Sequence, residues 1–393
     1  MDLRLKTQKS YRYLFLKHMK SSLKRGIYEF HFEVTGNCNL NCVYCYNSDC
    51  KDPKYREKEL SIEEIKSLIK ETKKYGTKLY TVSGGEPFMR EDFFEIIKQM
   101  AGCSVSILTN GKVLTKDLIK ELKKYPQIKE FKLSWDGFDS HNKLRIGSNW
   151  KDVEKTIVEL KKNGYKVVIN TIVLDVNQKD IYKLYHKIKK LEVDRWRVDM
   201  PFIFGRYIKN IKKYAPPDPK YFTEIFKKII QEENKNGNKM ILEIFNLYKS
   251  QFKPSNTVVF DTNTHPCEYK RELLSMKPNG DIIFCPSLNF AMANYRIDGS
   301  LSGAFKKERK HSFYNIKTSD LKDCVNCRYL KICGGGCRAN AIYEFNDYCG
   351  KDSTACATFP EWEKTILPIL KKSHKEYFKK LINYNGKNPI KSY

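Results

Sequence analysis

The chain has 393 residues, of which 41% are hydrophobic and 13% aromatic, and its formal net charge is +27. That length exceeds one small domain, and the apolar content suffices for a sizeable core, which excludes a disordered chain. No apolar run approaches the ~18 residues of a membrane span, and the first 27 residues lack the apolar centre of a secretory signal. A cytoplasmic protein with no membrane partner is expected. In that reducing compartment the 13 cysteines read as metal ligands sooner than as disulfides. The basic residues are spread along the chain and form no stripe. They read as solvated surface, with long-range steering of an acidic partner as the alternative. No RNA-binding motif accompanies the charge, so a nucleic-acid partner is not expected.

In chain order, residues 1–27 form a basic segment, and residues 28–204 alternate strand-like and helix-like stretches. The first strand, within 26–36, alternates apolar and polar residues. A helix over 61–76 follows, with a capping box of Ser61 and Glu64, an apolar stripe of Ile62, Ile65, Leu68 and Ile69, and a closing Gly76. Five further strands are predicted: LYTVSG, SVSILTNG, FKLSWDG, YKVVINTIV and DRWRVDM. Mostly helical crossovers separate them. Repeated βα units of this kind give the α/β class and a parallel sheet that curls into a partial (β/α)6 TIM-like barrel, with chemistry on the loops after the strands. Residues 205–260 are expected to be a helical bridge, with helices over 221–233 and 239–250. Over 261–360 periodicity fades and cysteines concentrate. Residues 361–393 are read as a C-terminal helix and tail, the helix spanning PEWEKTILPILKKSHKEYFKKL.

Directly after the first strand comes GNCNLNCVYCYN, with Cys38, Cys42 and Cys45. Three thiolates so close in a loop can hold three irons of a [4Fe–4S] cluster and leave the fourth open to a ligand. A zinc site lacking one ligand and plain structural cysteines are the alternatives. The loop after the second strand reads Ser83-Gly84-Gly85-Glu86-Pro87, where glycines permit close backbone approach. Together these motifs, covering most of the chain, resemble the radical S-adenosylmethionine (SAM) superfamily. The resemblance implies that Tyr44 packs near the SAM adenine and that Gly84, Gly85, Glu86 and Pro87 hold its amino group. It further implies that Ser134 and Arg145 contact SAM and that Asn170 meets the ribose. For each of these three a purely structural role is the alternative.

The C-terminal spacing is Cys267-x12-Gly280-x4-Cys285, then Cys324-x2-Cys327-x5-Cys333-x3-Cys337, and later Cys356. It resembles the SPASM domain, the iron–sulfur accessory module of radical SAM maturases. A zinc ribbon is the alternative. A tight turn in MKPNGDIIFC brings Cys285 back beside Cys267. The resemblance implies two auxiliary [4Fe–4S] clusters, the inner held by Cys267, Cys285 and Cys337 and the outer by Cys324, Cys327, Cys333 and Cys356. Cys349 is the competing ligand, either for the open inner position or in place of Cys356. Cys50 and Cys103 read as ordinary thiols, and His265 as a weak candidate ligand. The sulfatase-maturing branch has an extra cysteine between the first two SPASM ligands and an aspartate after the second. Here there is no such cysteine, and Pro286 holds the aspartate's place.

The expected reaction is reductive cleavage of SAM to a 5′-deoxyadenosyl radical, hydrogen abstraction, and oxidative modification of a ribosomally made peptide, for example by a thioether crosslink. Only 37 residues precede Cys38, so peptide capture is expected from a separate recognition protein or the basic segment. A small-molecule maturase acting on a tetrapyrrole or quinone precursor is the alternative, and a non-catalytic electron carrier is the third reading. A reducing donor such as flavodoxin or ferredoxin is the expected redox partner.

Overall fold

The structure is a computed structural model that describes residues 26–47, 51–237, 239–245, 247–251, 259–267, 273–288 and 290–382. Most of the basic N-terminal segment, Cys50 and the end of the tail lie outside the described residues. The six expected strands are present: β1 (Glu29–Glu33), β2 (Leu79–Ser83), β3 (Ser104–Thr109), β4 (Ile128–Ser134), β5 (Lys166–Ile172) and β6 (Arg195–Asp199). They pair in parallel in chain order. Helices Ile62–Lys74, Phe93–Gln99, Lys116–Glu121, Trp150–Lys162 and Ile181–Lys190 lie between them. The capping box is made: the Glu64 amide donates to Ser61 Oγ at 3.2 Å, and the Ser61 amide to Glu64 Oε2 at 2.7 Å.

The sheet runs on at both sides. β7 (Ile241–Ile244) pairs in parallel with β6, and β8 (Tyr248–Lys249) pairs antiparallel with β7. On the other edge β9 (Leu273–Met276) pairs in parallel with β1. β10 (Asp281–Ile283) and β11 (Ala293–Asn294) then follow antiparallel. The result is one eleven-stranded sheet with β8 and β11 at its edges, hence an open barrel.

Two expectations are corrected. The helix over 239–250 does not form. Ile-Leu-Glu-Ile alternates as a strand should, and the free edge of β6 offers it a ladder, so tertiary pairing overrides helix propensity. Among the described residues of the bridge there is one long helix, Pro219–Lys235. The single C-terminal helix is two, Ser353–Thr365 and Lys372–Ile382, parted at Leu367–Ile369 by Pro368, which has no amide proton to continue the ladder. The hairpin expected around Gly280 is present, with φ +86° at the glycine.

Alternation decides what each face of the sheet does. Phe30, Phe32, Tyr80, Val82, Phe131, Leu133, Trp196, Val198, Leu274 and Met276 are buried in one core with Ile65, Leu68, Ile96 and Ile157 of the covering helices. Fully burying such a side chain contributes about 1.5–3 kcal/mol. The register puts Glu29, His31 and Glu33 beside Thr81, Ser83, Ser275 and their neighbours on the opposite face. A parallel sheet covered on both faces normally reads as continuous apolar runs. The polar residues here mark a lumen built for something other than packing.

Arg296, just past β11, forks onto Glu64 at 2.5 and 2.7 Å and clasps the C-terminal hairpins to the first long helix. This bond holds the Glu64 carboxyl down at about 2, against an ordinary 4.5. A depressed carboxyl stabilises the fold above its unfolded value and loses that contribution as pH falls through the folded one. Arg296→Ala is therefore expected to be less stable than the parent at neutral pH. The deficit should shrink as pH falls from 4.5 toward 2, as read from urea unfolding at each pH. A pH-independent deficit would assign Arg296 to packing alone.

Candidate active site and cysteine clusters

β1 delivers the chain into the first cysteine loop. The Val34 amide still bonds Ser83 O at 2.9 Å. The buried side of Glu59 then takes over, accepting from the Gly36 amide at 2.7 Å and from Thr35 Oγ1 at 3.1 Å. Asn41–Cys42 forms a short antiparallel ladder with Arg145–Ile146. The Leu40 amide points at Cys38 Sγ at 3.5 Å, and Arg145 Nη1 lies 3.9 Å from Cys42 Sγ. Arg206 clamps the far side, its amide on Cys45 O and its guanidinium on Cys42 O, both at 3.0 Å. Burial pushes the Cys45 thiol up to about 11, with Cys42 and, less strongly, Cys38 adding to the rise. The three thiols thus share one desolvated space edged by N–H donors, which suits thiolates bound to iron and tunes the sulfur.

The Gly84–Pro87 segment lies against that loop. The Gly85 amide bonds Thr35 O and the Glu86 amide bonds Asn37 O, both at 2.7 Å. A Cβ on Gly84 would fall 2.4 Å from Thr35 O, and one on Gly85 2.2 Å from Asn37 O. The glycines are therefore required by the cysteine loop itself, a use the sequence did not reveal. Glu86 is fully buried, and burial pushes its carboxyl up to about 7. Its side chain is committed to Thr109 Oγ1 and the Asn110 amide, each at 2.8 Å, so it fixes the end of β3.

Tyr44 donates its hydroxyl to the Asp136 carboxylate. Arg145 Nε bonds the same oxygen at 2.6 Å, and its guanidinium lies 5.2 Å from the Tyr44 ring centroid. Burial opposes the Arg145 charge, and Asp136 more than offsets it. The other Asp136 oxygen accepts from the Ile172 amide at 2.8 Å. Arg145 is thus oriented by a carboxylate of this chain, which narrows the expectation of a free fork for SAM. Ser134 stands opposite Asn170 across β4 and β5. Asn170 Oδ1 is buried with no hydrogen-bond partner, an acceptor open to a hydroxyl donor. Asp136 was missed as a site residue. Its signal was the Trp-Asp-Gly break at the end of a strand.

In the C-terminal region Cys324, Cys327, Cys333 and Cys356 line one cavity with Tyr329, Phe359 and Gly335. Burial raises the Cys337 thiol, and Asp352, Cys285 and Cys267 act on it in turn, so the inner trio is also assembled. Cys349 is not part of that cavity lining, and the charges acting on it are Asp347, Asp320, Arg338 and Lys322. His265 uses both ring nitrogens, on Phe313 O and the Cys267 amide, each at 2.9 Å. Cys103 donates to Thr77 O at 3.3 Å, as an ordinary thiol does. Between the two groups lies Asp352, fully buried, accepting from the Cys337 amide at 2.7 Å and from Asn340 at 3.2 Å. Among the described residues no three His, Cys, Asp or Glu are gathered as a single metal ion requires. A multi-iron cluster is held at separate corners and asks for wider spacing.

Residues 32–188 match the radical SAM superfamily. The chain carries a radical SAM domain. It is similar to the AdoMet-dependent heme synthase of Methanosarcina barkeri, 27% identical over 81% of this chain and 93% of the relative. It is also similar to the Fe-coproporphyrin III synthase of the same organism, 25% identical over 79% and 84%. Among solved structures, anSMEcpe with bound AdoMet aligns with a TM-score of 0.65 at 18% identity, over 91% of this chain and 96% of that one. Streptococcus suis SuiB bound to precursor peptide SuiA aligns at 0.64 and 19%, over 91% and 82%. At that identity the two structures establish a shared fold. The radical SAM family binds a [4Fe–4S] cluster and SAM, and this chain is a radical SAM enzyme.

Three substitutions test the groupings. Gly85→Ala is expected to push the cysteine loop away and to cost one cluster, about four irons per chain, with loss of the SAM-sensitive EPR signal. Cys356→Ala is expected to lose outer-group iron while Cys349→Ala retains it. The reverse order would move Cys349 into the site.

Proposed function

We propose that this enzyme is an oxidative radical SAM maturase whose substrate is a carboxylate-bearing small molecule of the tetrapyrrole kind. The observation that carries this reading is similarity to an AdoMet-dependent heme synthase over 93% of its length and to an Fe-coproporphyrin III synthase over 84%. Peptide modification, for example a thioether crosslink, is the second reading, favoured by a fold shared with SuiB, which was seen bound to a precursor peptide.

In this reading Cys38, Cys42 and Cys45 hold three corners of the first cluster. The Cys267 and Cys324 groups hold two auxiliary clusters, with Cys349 outside the outer one and packed with the Cys267 group. A [4Fe–4S] cluster held by these three cysteines would supply the electron that cleaves SAM to methionine and a 5′-deoxyadenosyl radical. The chain's own residues do the rest. The Gly84–Pro87 backbone and Arg145, steadied by Asp136, orient the SAM head, with Ser134 beside them. Tyr44 offers a ring to the adenine and Asn170 Oδ1 accepts a ribose hydroxyl. A substrate seated in the lumen would help keep water from the radical. Pro286 cannot move a proton, so the base of the sulfatase-maturing branch has no counterpart at that position. Among the described residues no helix is long and apolar enough to cross a membrane. The reading takes the cytoplasm as the site of action, and the charge of +27 suits an acidic donor such as flavodoxin or ferredoxin.

Anaerobic reconstitution tests the reading. It predicts about twelve irons per chain and reductant-dependent 5′-deoxyadenosine, accelerated by a tetrapyrrole with carboxylate side chains. Iron without any SAM cleavage, with or without tetrapyrrole or peptide, would leave an electron carrier.

A further inference from the structure

The lumen holds a charge arrangement that neither the clusters nor the SAM site uses. Three other strand cations on this face are paired. Lys132 meets Glu130 at 3.8 Å, Arg197 meets Asp199 at 2.9 Å, and Arg195 meets Glu243 at 3.8 Å. Lys277 differs. It lies two residues beyond Ser275, which sits opposite His31, so it faces the lumen beside Glu33 at the joint of β1 and β9. Lys277 is 7% exposed. Its ammonium makes one long hydrogen bond, 3.4 Å to Asn47 Oδ1, and no ion pair closes on Glu33. Asn47 instead bridges the two, donating to Glu33 Oε2 at 2.6 Å.

Two further atoms at this joint are buried without a hydrogen-bond partner, Glu33 Oε1 and Ser275 Oγ. Burial pushes the Glu33 carboxyl up to about 7 against the pull of Lys277 and of hydrogen bonds from Asn47 and Tyr46. Near neutral pH it therefore carries a proton for much of the time and is itself a donor. A nearly buried ammonium that no carboxylate meets directly is costly, and so is each orphaned polar atom. The remedy common to all three is a ligand group that accepts from an ammonium, a hydroxyl and a carboxyl. A carboxylate does so with its two oxygens.

We infer that Lys277, Ser275 and Glu33, braced by Asn47, form an anchor for a carboxylate of the substrate, next to the first cysteine loop. The anchor rests on reading the lumen as the substrate chamber, and it joins the chamber's radical SAM wall to its C-terminal wall. Asn47 follows Cys45 by two residues, so a group held here lies close to where the radical forms. The source of the carboxylate is either a tetrapyrrole side chain or an acidic residue of a peptide.

The test is equilibrium binding to the reconstituted full chain with SAM present. One arm compares iron-free coproporphyrin III with its tetramethyl ester. The other compares a short peptide bearing a central glutamate with its glutamine twin. In one arm the parent should favour the acid by at least about tenfold, as expected for a desolvated charged hydrogen bond. Lys277→Gln should erase that preference and Lys277→Arg should keep most of it. Should Lys277→Gln fail to take up iron, Ser275→Ala is the substitute, expected to weaken the acid by a few-fold and leave the ester or amide unchanged. No preference in either arm of the parent, or a preference that survives both Lys277→Gln and Ser275→Ala, overturns the anchor. SAM cleavage is measured separately on the same parent sample. An acid preference without cleavage would sink the proposed activity while leaving the anchor in place.

Discussion

Strand β1 is the member on which the molecule turns, because it is laddered on both sides in parallel, to β2 and to β9. The β2 ladder sets the Gly84–Pro87 segment against the cysteine loop. The β9 ladder sets the Lys277–Gly280 turn beside the end of β1, and antiparallel β10 leads from that turn to Cys285. Both ladders are held by one apolar face, Phe30 and Phe32 packed under the helices, so the cost of moving either cysteine region is the cost of opening the core. Sites carried by strands in this way are placed more firmly than sites on free loops.

Electrostatics divides the interior into two kinds of charge. Asp136 with Arg145 and Glu86 with Thr109 are committed to neighbours within the chain, and they hold loops in place. Asn170 Oδ1, Glu33 Oε1 and Ser275 Oγ are not so committed. Buried polar groups in folded proteins are nearly always satisfied. Three orphaned atoms on one lumen face therefore outline the ligand space more sharply than the shape of the cavity does.

Much of this was legible in the sequence because it depends on local spacing. The cysteine runs, the Ser61 capping box, the Gly280 hairpin and the six barrel strands each announce themselves within a dozen residues. What was missed depends on partners far away in the chain. Ile241–Ile244 becomes a strand only because β6 has an edge to offer. The C-terminal helix divides at a proline that the apolar periodicity concealed. Asp136 matters through Tyr44, 92 positions earlier. The joint of Glu33 with Lys277 exists only once β9 has come back beside β1. The glycines of Ser83–Pro87 were read as room for a ligand, whereas their first neighbour is the backbone of Thr35–Asn37.

The central claim is that three cysteine groups hold three separate iron–sulfur clusters and that the Cys38 group alone presents an open iron to SAM. EPR of the reduced, reconstituted protein, recorded with and without SAM, tests it most directly. The account predicts that SAM alters one cluster signal and that replacing Cys38, Cys42 and Cys45 together by alanine removes that signal while the others persist. A spectrum indifferent to SAM, or a SAM response that survives those replacements, would contradict it.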